Sequence, residues 1–433
     1  MKRSIAVLGA AAAISLVLAG CGGSSGSSEA ASGPITLTLA GWSLSTTPEF
    51  KTLADGFHAT NPDVTIQVKE YDATNYDTQM IADLAAGKGP DLYVQKNLKN
   101  FFTYQDGKQL LDVSDVAKGL PDTVKGLSNY QIDGKTYAIP YRGDSWVMYY
   151  NQALFDKAGV DYPDGSWTWD DYVSTSKELT TKLKAAKSKA LGDYQHNWQS
   201  TTQGFALAQT PGADMQSGNF SYLKPYYERS LALQKAGAQV KIGDVTTNSL
   251  TYQAQFGKQQ AAMMPMGTWY IATLLAQQTS GEADQFKWGI APAPQFDATT
   301  AGTSKTPVTF GDPTALGINP KLDKSKVTAA KAFLGYIAGK QGAESLAKIG
   351  ITPADSEAVA DTFFELKGIP TDDLSKFAFA THDTKPENPV AKSTPALQNL
   401  LNELHTSVLS GSVTVDAAIT KAQDQAKSQG LTK

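Results

Sequence analysis

A succession of β-forming and helical patterns after the first thirty or so positions limits the fold of this chain more than any other feature. Ile35-Thr36-Leu37-Thr38-Leu39-Ala40 alternates β-formers and reads as a strand that ends at Gly41-Trp42. Phe50, Leu53, Ala54 and Phe57 then recur at helical spacing until Asn61-Pro62 stops the helix. "VTIQV" is a second strand, "NYDTQMIADLAAGKG" a second helix closed by glycine, and "DLYV" a third strand. Strands that alternate with helices in this way pair in parallel under helical layers, and such sheets bind ligands beyond the carboxyl ends of their strands. The residues that follow the strands are therefore the first site candidates: Trp42, then Gln95, Lys96 and Asn97.

Before this pattern starts, Met1-Lys2-Arg3 precedes an uncharged apolar run over residues 4–18, the layout of a secretory signal. The run is short of the roughly 20 apolar residues that span a bilayer. Leu18-Ala19-Gly20-Cys21 resembles a bacterial lipobox, in which cleavage leaves the cysteine first and its sulfur carries a lipid. That resemblance implies a lipoprotein signal peptide over 1–20 and a Gly/Ser tether over 21–34 beginning at lipidated Cys21. The alternative is an ordinary secretory signal with a chance cysteine near the cut. Each buried methylene of a lipid contributes about 0.8 kcal/mol, so two or three chains hold a protein at a membrane surface where one does not.

Composition and motifs exclude several classes. Cys21 is the only cysteine in 433 residues, so its acylation leaves no thiol for a disulfide; a chain of this length buries enough surface without one. Loss of the leader removes Lys2 and Arg3 and no acid, taking the formal charge from −4 to −6, which gives no support to a nucleic-acid partner. His58, His196, His382 and His405 are far apart, without metal-ligand spacing, and neither a phosphate-binding glycine loop nor a nucleophile elbow between a strand and a helix occurs. The adjacent pairs Asp170-Asp171 and Asp372-Asp373 point apart on a helix and cannot flank one glycosidic bond. Distant carboxylates can still meet in a fold, which keeps an enzyme as an alternative, and nothing calls for a cofactor or a metal.

In the middle of the chain "YAIPYRGDSWVMYYNQALFDKAG" runs a short strand into a longer one and then a helix. "SWTWDDY" places Asp171 three residues after Thr168, close to a capping box, and helical patterns continue through Leu233. "AAMMPMGTWY" is an apolar strand breaking at Met266-Gly267; "KWGIAPAPQF" and "TPVTFGDPTALGINP" bring strands back, and the last third is helical. With Gly89-Pro90-Asp91 before them and "AAKAFLGYIAG" after, these motifs in this order resemble the extracellular solute-binding proteins of carbohydrate ABC transporters, the group that includes maltose-binding protein.

The resemblance, covering about residues 35–422, implies a periplasmic-binding-protein-like α/β fold of two lobes with a hinge and an interlobe cleft. Lobe 1 would comprise 35–142 and 306–356, and lobe 2 143–305 and 357–433. The chain would cross first at 141–144, return near 306–309, and cross again after a helix around 343–348, giving a hinge that closes on ligand. Sugars stack their apolar faces on aromatic rings and pair their hydroxyls with polar groups. Family placement points to Trp269 as a stacking ring and Asp144 as an acidic ligand, with Arg142 and Asp312 nearby and Trp198 facing the cleft from the second lobe. Gln95 stands where relatives often have an aromatic. Trp167 and Trp169 are expected to staple a helix start, Met263-Met264-Pro265-Met266 to be core strand, and Asp91 to brace backbone.

These readings converge on a lipid-anchored monomer on the outer face of the cell membrane that takes a mono- or oligosaccharide and hands it to a permease, without chemistry of its own. A cell-surface polysaccharide-degrading enzyme is the alternative from another class, and a carbohydrate-binding adhesin or sensor a third.

Overall fold

The structure is a computed structural model that describes residues 33–45 and 48–433. The leader and Cys21 lie outside the described residues. In chain order the strands are β1 (Ile35–Trp42), β2 (Val64–Tyr71), β3 (Leu92–Gln95), the hairpin β4 (Gln131–Ile132) and β5 (Lys135–Thr136), β6 (Ile139–Arg142) and β7 (Trp146–Asn151). They continue with β8 (Leu191–Asp193), β9 (Ala261–Gly267), β10 (Trp288–Pro292), β11 (Val308–Phe310), β12 (Thr314–Ile318) and β13 (Asp383–Lys385).

Two larger sheets organise the chain. The first is five-stranded, ordered β2-β1-β3-β12-β6; β1, β2 and β3 pair in parallel as their alternation with helices requires, and β12 runs antiparallel to both of its neighbours. The second is four-stranded, ordered β10-β7-β9-β8. Each sheet has its own hydrophobic core. Leu37, Leu39, Tyr93, Phe101 and Phe333 belong to the first, and Tyr149, Phe155, Phe205, Met264 and Leu397 to the second.

Local signals explain much of this. In the helix Glu49–Thr60, Phe50, Leu53, Ala54 and Phe57 form the buried stripe, as their spacing predicts. Thr168 and Asp171 form a reciprocal capping box at the start of the helix Trp169–Ala185, and the Trp169 indole packs among Tyr172, Phe205 and Tyr226. The methionines of β9 are buried core strand. Asp91 braces β1 to β3: its Oδ2 accepts from Thr38 N at 2.9 Å, and its own N–H donates to Thr38 Oγ1 at 2.9 Å. The stretch read as helical through Leu233 is interrupted by β8, which pairs in parallel with β9 and is too short to show alternation. Gly192 lies so close to the helix Trp169–Ala185 that a Cβ would meet Ser176 O at 1.9 Å.

The chain moves from the first sheet to the second at 143–145, between β6 and β7. It returns at 311–313, later than the expected 306–309, because Phe310 still stacks on Trp146 at 4.9 Å and Thr309 Oγ1 still donates to Trp146 O at 2.6 Å. The third passage lies beside the first: Gly143 N donates to Thr352 O at 3.2 Å and Ala354 N to Tyr141 O at 3.0 Å. It follows the helix Lys340–Ala347, which gives Leu346 to the first core and Ala343 and Ala347 to the second.

Candidate ligand-binding cleft

A cleft of about 1030 Å³ opens where these passages meet the ends of β1, β3 and β9. Its first side carries Trp42, Lys96, Asn97 and Thr314; its second carries Trp146, Trp198, Tyr252 and Trp269; Arg142, Asp144 and Asp312 lie on the passages between. Trp42 stands at the end of β1, edge-on to Phe50 at 5.0 Å and to Tyr76 at 5.1 Å, with the Lys96 ammonium over its ring at 4.9 Å. Lys96 Nζ donates to Ala73 O at 2.7 Å, and burial pulls its pKa down against the opposing pull of Asp77 and Asp72.

The aromatic wall across the cleft depends on a glycine. A Cβ on Gly267 would stand 1.9 Å from the Trp269 ring, so only glycine lets that ring fold back over the strand end. There it meets Trp146 edge-on at 5.4 Å and comes within 6.5 Å of Trp198. Trp198 is 40% exposed and edge-packed on His196 and Tyr252, an apolar face held in place beside solvent. Burial pulls His196 down to about 4, so it is neutral at ordinary pH.

Both of the first two passages carry acids, differently compensated. At the first, Arg142 Nε and Nη2 donate to Asp144 Oδ2 at 3.0 and 2.6 Å, and Nη1 pairs with Glu49, which has no exposed surface. Tyr141 Oη donates to Glu49 Oε1 at 3.0 Å, and Thr268 Oγ1 to Asp144 Oδ1 at 2.9 Å. Burial raises the pKa of Glu49 against the pull of Arg142. Burial opposes the Arg142 charge, but Asp144 and Glu49 outweigh it and raise its pKa. At the return passage, Asp312 has no cationic partner among the described residues: Oδ1 accepts from Glu387 N and Asn388 N at 2.8 and 3.2 Å, and Oδ2 from Leu98 N at 3.1 Å and Asn388 Nδ2 at 2.5 Å. Burial raises its pKa against these donors.

Sequence and fold comparisons identify this arrangement. The profile of the bacterial extracellular solute-binding proteins matches residues 52–371, most of the chain. The chain belongs to that family. It is 25% identical over 303 residues to a putative binding protein of Brucella abortus (strain 2308), covering 64% of this chain and 67% of that one. It is 27% identical over 338 residues to the sn-glycerol-3-phosphate-binding periplasmic protein of Escherichia coli (strain K12), covering 72% of each. Among solved structures, a sugar transporter of Rhizobium etli in an open conformation superposes with a TM-score of 0.76 at 29% identity, over 91% of this chain and 99% of that one. A substrate-binding protein of Listeria monocytogenes shares the fold with a TM-score of 0.74 at 21% identity, over 92% of this chain and 100% of that one. The family is one of extracellular binding proteins and not of enzymes, so the polysaccharide-degrading alternative falls.

In this solute-binding protein the structure brings together Trp42, Lys96, Asn97, Arg142, Asp144, Trp198, Trp269 and Asp312, as the motifs suggested. Gln95 is the correction. It is the last residue of β3, still in register with Ala315, and its side chain is buried with neither amide atom hydrogen-bonded among the described residues. The turn into the cleft begins one residue later, at Lys96. Trp146, Tyr252 and Glu387 line the cleft without having been singled out. Trp146 sat in plain view inside the Asp144-Ser145-Trp146 motif, whereas Tyr252 opens a short helix and Glu387 lies in a loop, where no period marks a residue. Among the described residues no cluster of His, Cys, Asp or Glu is arranged to hold a metal, and no helix is long and apolar enough to cross a membrane.

Proposed function

We propose that this solute-binding protein captures a mono- or oligosaccharide in the cleft, by closure of its two lobes about the paired passages, and delivers it to the permease of an ABC transporter. The observation that carries the reading is the distribution of aromatic faces and polar groups. Trp198, Trp269 and Tyr252 face Trp42 across a space of about 1030 Å³, at the upper end of ordinary small-molecule sites and roomy enough for more than one sugar ring. Rings of this kind take the apolar face of a pyranose, while Asn97 and Lys96 stand at its edge for the hydroxyls. The Rhizobium etli relative is described as a sugar transporter, which supports the same ligand class. The hinge is the antiparallel pairing of 141–143 with 352–354, a short two-chain strap that can bend without breaking either core.

The same reading places the protein outside the membrane, tethered by a lipid on Cys21. Its support is the Leu18–Cys21 motif and the Gly/Ser run after it. A Cys21→Ser variant should then appear in the soluble fraction while the wild type stays with membranes; equal partitioning of the two would remove the anchor from the account.

The test of the ligand class is thermal unfolding of the soluble protein against glucose, maltose, maltotriose, cellobiose and mannitol, with sn-glycerol 3-phosphate, polyamines and amino acids as controls. A ligand at about a hundred times its Kd adds about 2.7 kcal/mol of stability. A shift with a glycan and no product formed supports the receptor; a shift only with a control compound moves the ligand class, and consumption of the glycan contradicts the reading.

A further inference from the structure

One acid of the cleft is left with an unused oxygen. Glu387 follows β13 in the run Lys385-Pro386-Glu387-Asn388. Its backbone N–H donates to Asp312 Oδ1 at 2.8 Å and its Oε1 accepts from the Ser200 hydroxyl, but no partner meets Oε2 among the described residues. Ser200 begins the helix Ser200–Gln209, two residues beyond Trp198, and Trp198, Ser200 and Glu387 all line the cleft. The neighbouring Asp312 is consumed by donors from Leu98, Glu387 and Asn388, and Asp144 by Arg142 and Thr268. Glu387 is thus the cleft carboxylate with capacity to spare.

We propose that Glu387 is a ligand-contacting residue that accepts a glycan hydroxyl on Oε2 beside Trp198, and that it does so as the anion, so that capture releases a proton. This rests on the glycan reading given above. A charged acceptor makes roughly twice as strong a hydrogen bond as a neutral one, so a hydroxyl donor selects the ionised carboxylate. Burial first, then the charge of Asp312, push Glu387 up to about 7, against the Ser200 hydroxyl and Lys99.

The groups around Glu387 leave the adjoining carboxyls of Glu387 and Asp312, both raised by burial, as the source of that proton near neutral pH. The loop after β3 supplies Lys99, whose Nζ is committed to Asn399 Oδ1 at 3.1 Å; the return passage supplies Asp312; the helices Ser200–Gln209 and Thr394–Leu409 supply Ser200, Gln203 and Gln398. Tyr222, at the back of the same wall, is kept neutral by burial, and burial pulls His196 and His405 down to about 4. With the anion as the binding form, affinity rises as pH climbs through about 7 and levels off above it, by at most about tenfold per pH unit below.

Calorimetric titration of the wild type and Glu387→Gln with glucose, maltose, maltotriose, cellobiose and mannitol, at about pH 6, 7 and 8 in two buffers of different ionisation heat, tests this. A sugar that binds the wild type should do so several-fold to about tenfold more weakly at pH 6 than at pH 8, releasing part of a proton near pH 7. The variant should bind that sugar more weakly at pH 8 and show no pH dependence. Wild-type binding that is flat in pH and releases no proton overturns the role of Glu387 and leaves the receptor intact, as does a variant with the wild-type profile. Absence of binding by every sugar at every pH overturns the receptor reading and this inference with it. Proton release by the wild type is independent of how well the variant folds.

Discussion

The two passages that border the cleft solve the same problem by opposite means. Each must hold an acid where the chain changes sheets. At 143–145 the acid is matched by a guanidinium, and Arg142 in turn satisfies Glu49 on the first helix while Thr268 reaches Asp144 from the second sheet. At 311–313 the acid is matched by backbone and amide N–H groups from both sides, and a second carboxylate, Glu387, lies against it with no ion-pair partner among the described residues. An acid paired with a cation has a partner that must also be desolvated, and losing either member strands the other. An acid held by N–H dipoles has no such partner, and a second carboxylate placed beside it has its own charge disfavoured. The first passage is therefore built to hold shape, and the second is where a carboxyl can exchange a proton.

That contrast can be broken from the first side. Arg142→Met leaves Glu49 buried without its cation and should cost about 3–5 kcal/mol in denaturant unfolding at neutral pH. A loss below about 1 kcal/mol would show that Glu49 is neutral in the fold and that the pair does not hold the passage. Next in size is the aromatic wall: Gly267→Ala drives a methyl group into the Trp269 ring and should cost about 1–3 kcal/mol together with glycan affinity. Unchanged affinity in that variant would remove Trp269 from the site. At the return passage, Asp312→Asn turns an amide toward donors that need an acceptor, and a loss of about 1–2 kcal/mol is expected, smaller than at Arg142. If the two losses were equal, the distinction between the passages would fail. Smallest in stability is Trp198→Ala, within about 0.5 kcal/mol because the ring is 40% exposed, yet glycan titration should show affinity falling about tenfold.

The same contrast separates what a sequence can display from what it cannot. β1, β2 and β3 with their helices were legible because each is written in consecutive residues with its own period. Their neighbours β12 and β6 were assigned to the same lobe only through the family resemblance, since joining a sheet across more than a hundred residues leaves no local trace, and three-residue strands such as β8 and β13 are too short for a period. In the cleft, Trp269, Asp144 and Arg142 could be singled out because they sit in motifs at strand ends. Gln95 misled because a strand end was placed one residue early; the sheet keeps it paired with Ala315. Glu387 carries no motif at all, and its significance arises only when folding sets it against Asp312 and Ser200.

Small-angle scattering of the soluble protein, with and without a saturating amount of the sugar that raises its melting temperature, tests the central claim most directly. Closure of two lobes about the paired passages predicts a saturable fall in the radius of gyration that follows the same binding curve as tryptophan fluorescence. A bound sugar that leaves the radius of gyration unchanged would contradict capture by closure.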